Sequence, residues 1–514
     1  MRQITGFAIG IHRRDRLLYP AVFAIGLMLF LLQWAGGAYR AEFDGFPDES
    51  AQFVTGRMIW EYMKTAPREN PIQWAAQYYL HYPKVGLGHW PPGYHLAEAF
   101  WSLPFGSSRI SAIWLQWFLA LMALTGLYTI ARPRFPFAIT AGILFFAMAT
   151  PIFQVGLEQT MSELLCLLCA VLFMQAMLRL LERRDRGAIY LVALSMLAAG
   201  MVKGTAVILL PVPAIALFAM GKPVKMGSPW PVVVILGACA ACLAWYFSTT
   251  NVIYWAGITK TLPWGGRSLG EMAGWGLLGL ACLGVRRNPL AILAASMLCS
   301  AVLVSCVVRA MTEQRHWIMV LPSILLLAGY ALTRFNKPVA VVLAVLAIGL
   351  FPWVRYRQTP GGYRDLVRQL HRPARMLVSS AVGSGEGAWI AEISVAERYP
   401  ASLVVRASKV LAESGWSGEN YKLLVATQGE ILKRLDELAL DIVVIDRPSA
   451  RGPPHQVLLE AAMAGNHGWR VCGNTPDLLA YCRTKAPAFP RKPLVLEPAG
   501  WRFEEKIAAG SVMP

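Results

Sequence analysis

The chain has 514 residues, 56% of them hydrophobic and only 15% charged, with a formal net charge of +18. A mean hydropathy of +0.46 is more apolar than a soluble core requires, which excludes an ordinary soluble enzyme and a disordered chain and points to a polytopic α-helical membrane protein. The positive charge is then read as topology and contact with anionic membrane lipid, and no nucleic-acid partner is expected.

Windows of about 20 residues predict apolar spans near 18–35, 110–131, 136–151, 162–181, 188–202, 205–220, 230–248, 272–285, 289–308, 317–333 and 338–354. About eleven transmembrane helices follow, some short enough to be broken or tilted. HRRDR (12–16) ahead of the first span resembles a secretory leader, but the many spans that follow favour an uncleaved first helix. Lys and Arg collect in HRRDR, RPR (132–134), ERRDR (182–186), KPVK (222–225), RR (286–287) and RFNK (334–337). With these spans all of the clusters fall on one face, which the positive-inside rule makes cytoplasmic. The opposite face receives a long first outer loop (about 36–109), the turn at 151–162, Lys203, the loop at 249–271, the turn at 309–316 and everything after about residue 355.

That first outer loop carries the adjacent acids Asp48 and Glu49 in GFPDESAQFV (45–54), and then KVGLGHWPPGYH (84–95). A solvated acidic pair is the plain reading. Against it stand the aromatic residues of the same loop, Trp60, Trp74, Tyr78, Tyr79, Tyr82, Trp90, Tyr94 and Trp101, which suit an interface belt or a sugar- or lipid-stacking surface. The stiff Pro91-Pro92 step can hold flanking side chains near a site.

Residues 1–354 read as the membrane domain and 355–514 as a soluble C-terminal α/β domain on the outer face. RMLVSS, ASLVVRA and DIVVID have the form of short buried strands, and EILKRLDELAL and HQVLLEAAMAG of helices. GSGEG (383–387) spaces its glycines wrongly for a dinucleotide loop and reads as a glycine turn. Cys166, Cys169, Cys239, Cys242, Cys282, Cys299 and Cys306 lie in or at the ends of apolar spans, where Cys acts as a small hydrophobe, so their CxxC spacings read as incidental. Cys472 and Cys482 fall in the outer domain, where an oxidising compartment allows a disulfide; pairing and free thiols are both open.

Taken in order, PDESAQF, HWPPGYH, FGSSRISAIWLQ, TMSELLCLL, AGMVKGTAVILLP and EQRHWIMVLPSILLLAG resemble the polytopic GT-C glycosyltransferases that use polyprenyl-phosphate sugars, related to the aminoarabinose transferase of lipid A and the protein O-mannosyltransferases. The resemblance covers about residues 40–330. It implies a helical bundle with a long first outer loop and a site between loop and membrane. It also implies inverting transfer of one sugar from a polyprenyl-phosphate donor to an envelope glycan, lipid or protein acceptor at the periplasmic face of a bacterial inner membrane. Asp48 is then the catalytic base, with Glu49 as its neighbour and Glu163 as the acid facing it. Arg109, Lys203, Arg315 and His316 become candidates for holding the donor phosphate. Each has a plain alternative: an interface Arg for Arg109, a pairing with Glu313 for Arg315, and a helix-start acid for Glu163. Lys203, a lone cation between apolar spans, is more costly to explain without a function.

The aminoarabinose branch has Lys directly before its Pro-Pro, whereas this chain has Trp90; Lys84, His89 or His95 are the available substitutes. A divalent metal held by Asp48, Glu49 and a histidine is a further option that no ligand spacing demands. The competing class is a transporter or flippase of a lipid-linked saccharide. Its usual marks, midplane charges and inverted repeats, are not visible in the sequence. A catalytically silent assembly factor remains a third class.

Overall fold

In a computed structural model of the chain, the described residues are 16–86, 90–183, 187–221, 266–308, 313–413, 421–446 and 452–485, with the single positions 233, 237 and 240 and the backbone of 496–499 and 502–507. Most expected spans have a helix in place: α1 (Leu18–Gly36), then, after the first loop, α5 (Arg109–Ala131), α6 (Phe137–Ala149), α7 (Pro151–Glu158), α8 (Glu163–Arg183), α9 (Gly187–Val202) and α10 (Val212–Ala219), followed by helices Trp275–Leu283, Pro289–Val308, Leu321–Arg334 and Lys337–Gly349. The expected span at 230–248 lies almost wholly outside the described residues. This is a multi-span helical membrane protein. Five helical stretches among the described residues are long and apolar enough to cross a bilayer, or six if the bent pair α6 and α7 counts as one span.

The remaining apolar helices are shorter because the sequence breaks them. Pro151 biases Thr150 to an extended backbone (φ −62°, ψ 129°), and α6 and α7 meet at 63°. Lys203 is also extended (φ −156°, ψ 140°) and separates α9 from a 3-10 turn, Gly204–Leu209. Gly37 closes α1 in the left-handed region at φ 85°, its N–H donating to carbonyls of the last turn.

Three further helices lie in the first loop: α2 (Glu49–Thr65), α3 (Pro71–His81) and α4 (Gly93–Phe105). Asn70 caps α3 by accepting from Ile72 N–H at 2.9 Å, with Pro71 at the first helical position. Ser108 caps α5, placing Arg109 in its first turn.

The C-terminal region is a mixed α/β sheet. Its described strands are β1 (Arg375–Ser379), β2 (Leu403–Arg406), β3 (Ala412–Glu413), β4 (Lys422–Leu423), β5 (Ile442–Asp446), β6 (Trp469–Asn474), β7 (Leu478–Arg483), β8 (Leu496–Ala499) and β9 (Arg502–Ile507). The main sheet has the order β2-β1-β5-β7-β6, with β2, β1 and β5 parallel and β6–β7 an antiparallel hairpin. RMLVSS, ASLVVRA and DIVVID supply the parallel strands, as their continuous apolar runs require. Cys472 sits in the bulge of the hairpin and is bonded to Cys482, with Cα atoms 5.6 Å apart. Cys166 and Cys169 are buried free thiols, while Cys282, Cys299 and Cys306 are exposed on the bundle; Cys239 and Cys242 are outside the described residues.

The apolar core of the polar layer is common to both parts of the chain. Phe43, Phe53, Tyr78, Tyr79 and Tyr82 of the first loop pack in one cluster with Tyr363, Trp389, Ile390, Val404 and Ile442 of the sheet region. Each large side chain so buried contributes about 1.5–3 kcal/mol. The first loop and the sheet are therefore one structural layer, although the helices from Arg109 to Gly349 separate them along the chain.

Candidate active site

Asp48 stands immediately before α2, its side chain making no capping bond to that helix. Its carboxylate instead pairs with Arg315, Nη1 to Oδ2 at 2.6 Å. Arg315 lies in a 3-10 turn, Gln314–Val320, that feeds helix Leu321–Arg334. Its Nε pairs with Glu313 at 2.5 Å and its guanidinium covers the Phe46 ring at 4.5 Å. Burial makes charging Asp48 costly, but Arg315, with help from Lys84 and Lys203, holds its carboxyl below the usual carboxylate range.

Lys203 reaches Glu163 at 2.5 Å in a buried pair. The extended backbone at Lys203 and the first turn of α8 bring these two together. Lys84 is also buried, next to the start of helix Gly385–Ala396. The structure thus gathers Asp48, Arg315, Lys203, Glu163 and Lys84 from five separate segments. With Glu313 on Arg315, three cations face three acids, so an added anion is held there by displacing a carboxylate from Arg315 or Lys203.

Glu49 faces the other way. It is fully buried, and its Oε1 accepts from Arg109 Nη2 at 3.1 Å and from Thr160 N–H at 3.2 Å. Burial, partly offset by Arg109, pushes its carboxyl up to about 7. The Arg109 guanidinium also donates to the Ala38 carbonyl, to Glu158 O at 3.0 Å and to Gln358 Oε1 at 2.7 Å. Those contacts make Arg109 a tie between α1, α2, α5, α7 and the strap leading to the sheet.

His316 accepts from Glu313 N–H at 3.3 Å as half of a capping box, so its ring serves the start of its own turn. His89 lies outside the described residues. His95 is buried on α4, and burial pushes it down to about 4. Among the described residues, no group of three His, Cys, Asp or Glu side chains is placed to hold a metal ion.

Several further residues near the site are not picked out in the sequence. Asp44, four residues before Asp48, is pushed up to about 6 by burial. Glu98 on α4 is buried against Gly56, and burial with the neighbouring Glu49 holds it well above the usual range. Gln358 and Arg364 reach the first loop from more than 300 residues away (Arg364 Nη2 to Ala41 O, 3.1 Å, separation 323). Only Glu98 had a local clue, its i+3 spacing from His95 on one helix face.

Residues 89–247 match the model of the dolichyl-phosphate-mannose-protein mannosyltransferase family. No curated protein matches the chain's sequence. Among solved structures, the chain is similar to ArnT from Cupriavidus metallidurans in the apo state, at 13% identity and a TM-score of 0.57, over 90% of this chain and 98% of that one. It is similar also to the same protein bound to undecaprenyl phosphate, at 13% identity and a TM-score of 0.54, over 92% and 99%. The chain thus carries, over residues 89–247, a segment similar to the dolichyl-phosphate-mannose-protein mannosyltransferase family, within a multi-span helical fold similar to that of ArnT.

Proposed function

We propose that the protein transfers one monosaccharide, with inversion, from a polyprenyl-phosphate donor to an envelope glycan, lipid or protein at the periplasmic face of a bacterial inner membrane. About eleven spans and a cytoplasmic face for the Lys and Arg clusters belong to this reading. The observation that carries it is the buried Asp48–Arg315 pair with Lys84 and Lys203 beside it. A similarly folded protein has been crystallised with undecaprenyl phosphate, which supports a lipid phosphate as the anion these cations receive.

In this mechanism the donor phosphate competes with Asp48 for Arg315. Its arrival draws the guanidinium away and leaves a carboxylate that is a stronger base than in the pair. An acceptor hydroxyl or amine attacks the anomeric carbon and gives its proton to Asp48. The bond from that carbon to the phosphate oxygen breaks, and its electrons remain on the lipid phosphate, which gains a negative charge. Arg315 supplies a planar fork to that phosphate and Lys203 a point charge. Glu163 positions Lys203, and Lys84 closes the cationic side. Arg109 and Glu49 act by positioning, because they are buried against each other and tie together Thr160, Glu158 and Gln358.

Membranes carrying wild type, Asp48→Asn or Arg315→Ala are tested with radiolabelled undecaprenyl-phosphate sugars and whole-envelope acceptors at matched expression. Asp48→Asn is expected to lose at least about a hundredfold in transfer, the scale of a lost general base, while still binding undecaprenyl phosphate. Arg315→Ala should weaken that binding. Label that crosses the bilayer on its original carrier, unaffected by either change, would replace this reading with a transporter.

A further inference from the structure

In an open sheet with parallel strands, ligands bind beyond the carboxyl ends where the strand order reverses. Here that point lies between β1 and β5, since the chain passes from β1 to β2 on one side and later to β5 on the other. Asp446, the last residue of β5, fills its base by accepting Ala381 N–H at 2.9 Å and the Ser380 hydroxyl. What lies across the mouth is the protein's own first loop. Ser384 Oγ donates to Asp44 O at 2.7 Å, and a Cβ on Gly383 would sit 3.7 Å from Pro47.

The approach is close enough to restrict side chains. A Cβ on Gly387 would collide with Ser50 Oγ and stand 2.9 Å from Lys84 Cε, and one on Gly361 would stand 2.6 Å from Asp44 Oδ2. The other end of the segment is held by Arg364. Its guanidinium donates to Ala41 O at 3.1 Å and pairs with Glu392 through Nε and Nη2, at 3.3 and 3.1 Å. The N–H groups of Tyr363 and Arg364 both donate to Glu42, each at 2.9 Å. Phe43 between these points is fully buried, 4.4 Å from Phe53 ring to ring.

We propose that the ligand crevice of the sheet region serves as a receptor for residues 41–47, and that Arg364 and Ser384 are positioning residues that set Asp48 against Arg315. The proposal rests on Asp48 being the base. Segment 41–47 is gripped along its length and delivers Asp48 directly at its end, so slack in the grip becomes displacement of the carboxylate. Displacement of about 1 Å can cost a hundredfold in rate.

The test uses full-length protein in lipid nanodiscs, with Arg364→Ala, Arg364→Lys, Ser384→Ala and Asp48→Asn. Sugar transfer from radiolabelled undecaprenyl-phosphate sugars is measured per folded molecule against pH, and undecaprenyl phosphate binding is measured separately. The charged groups around Asp48 and its partner are Arg315 of the 3-10 turn, Glu313 at its cap, Lys203 at the α9 break, Glu163 of α8 and Lys84 of the loop, while Glu49 of α2 faces away towards Arg109. Moving Asp48 from its strongest cation, Arg315, raises its pKa.

Arg364→Ala should therefore cut turnover tenfold or more and move the acid limb of kcat/KM, which reports the free enzyme where Asp48 still holds Arg315, upward by about one pH unit, with undecaprenyl phosphate affinity within about threefold of wild type. Arg364→Lys should restore part of the turnover. Ser384→Ala, which removes one hydrogen bond and keeps the fold, should show the same shift in smaller degree and decides the matter if Arg364→Ala does not fold. An unmoved limb and unchanged turnover per folded molecule in Ser384→Ala and Arg364→Ala would overturn the proposal. Full activity in Asp48→Asn would instead remove the base assignment on which it rests.

Discussion

Arg109 illustrates how burial converts a charge into a structural requirement. With 3% exposure beside a fully buried Glu49, its guanidinium serves acceptors in several elements, and a fork of donors is needed to reach them. Arg109→Ala is expected to cost about 3–5 kcal/mol, because it leaves Glu49 as an uncompensated buried acid. Arg109→Lys should recover little of this, as read by thermal unfolding of the purified protein. Asp44 gives a pH prediction. Its folded pKa of about 6 lies above the ordinary 3.8, so the folded state binds the proton more readily. Its effect on stability is therefore a gain as pH falls from above 6 towards 4. The difference in melting temperature between wild type and Asp44→Asn should move in favour of wild type over that window.

Among the elements, the breaks matter as much as the helices. Beyond the bend at Thr150, α7 ends in Glu158, whose carbonyl binds Arg109, and the extended Lys203 ends α9 where Glu163 can meet it. The expected spans 188–202 and 205–220 already part at Lys203 and the span 136–151 stops at the bend; what the window average misses is that 151–158 continues as a helix, because Pro151 turns the backbone without changing the mean. Gly37 carries two constraints: a positive φ, and a Cβ position 2.7 Å from the Gln358 carbonyl oxygen. Gly37→Ala should destabilise by more than the about 1 kcal/mol of a conformational effect alone, and hydrogen exchange should rise in both the end of α1 and the 356–364 strap. Exchange confined to α1 would show that the strap contact carries no weight.

For the whole molecule, the shared core links the first loop to the sheet region. Trp389 is fully buried in that cluster, and Trp389→Ala should cost about 3–5 kcal/mol. Because α2 and α3 pack in the same cluster, limited proteolysis of this variant should open sites in both the first loop and the sheet region. Cleavage in the sheet region alone would show two independent cores.

Composition and hydropathy alone determined the membrane class and most helix positions, since the transfer of apolar side chains from water is a local property of each window. The order of short motifs likewise pointed to the glycosyltransferase class and to Asp48, Glu163, Lys203 and Arg315 as residues of interest. Which of these meet was decided only by tertiary structure: Asp48 with Arg315 across 267 positions, Lys203 with Glu163 across 40, and Glu49 withdrawn to Arg109. The grip on residues 41–47 was equally hidden, because Glu42, Arg364 and Ser384 look like ordinary surface residues in a local window. Burial and pairing depend on what the rest of the chain brings within a few ångströms, and no local pattern records that distance.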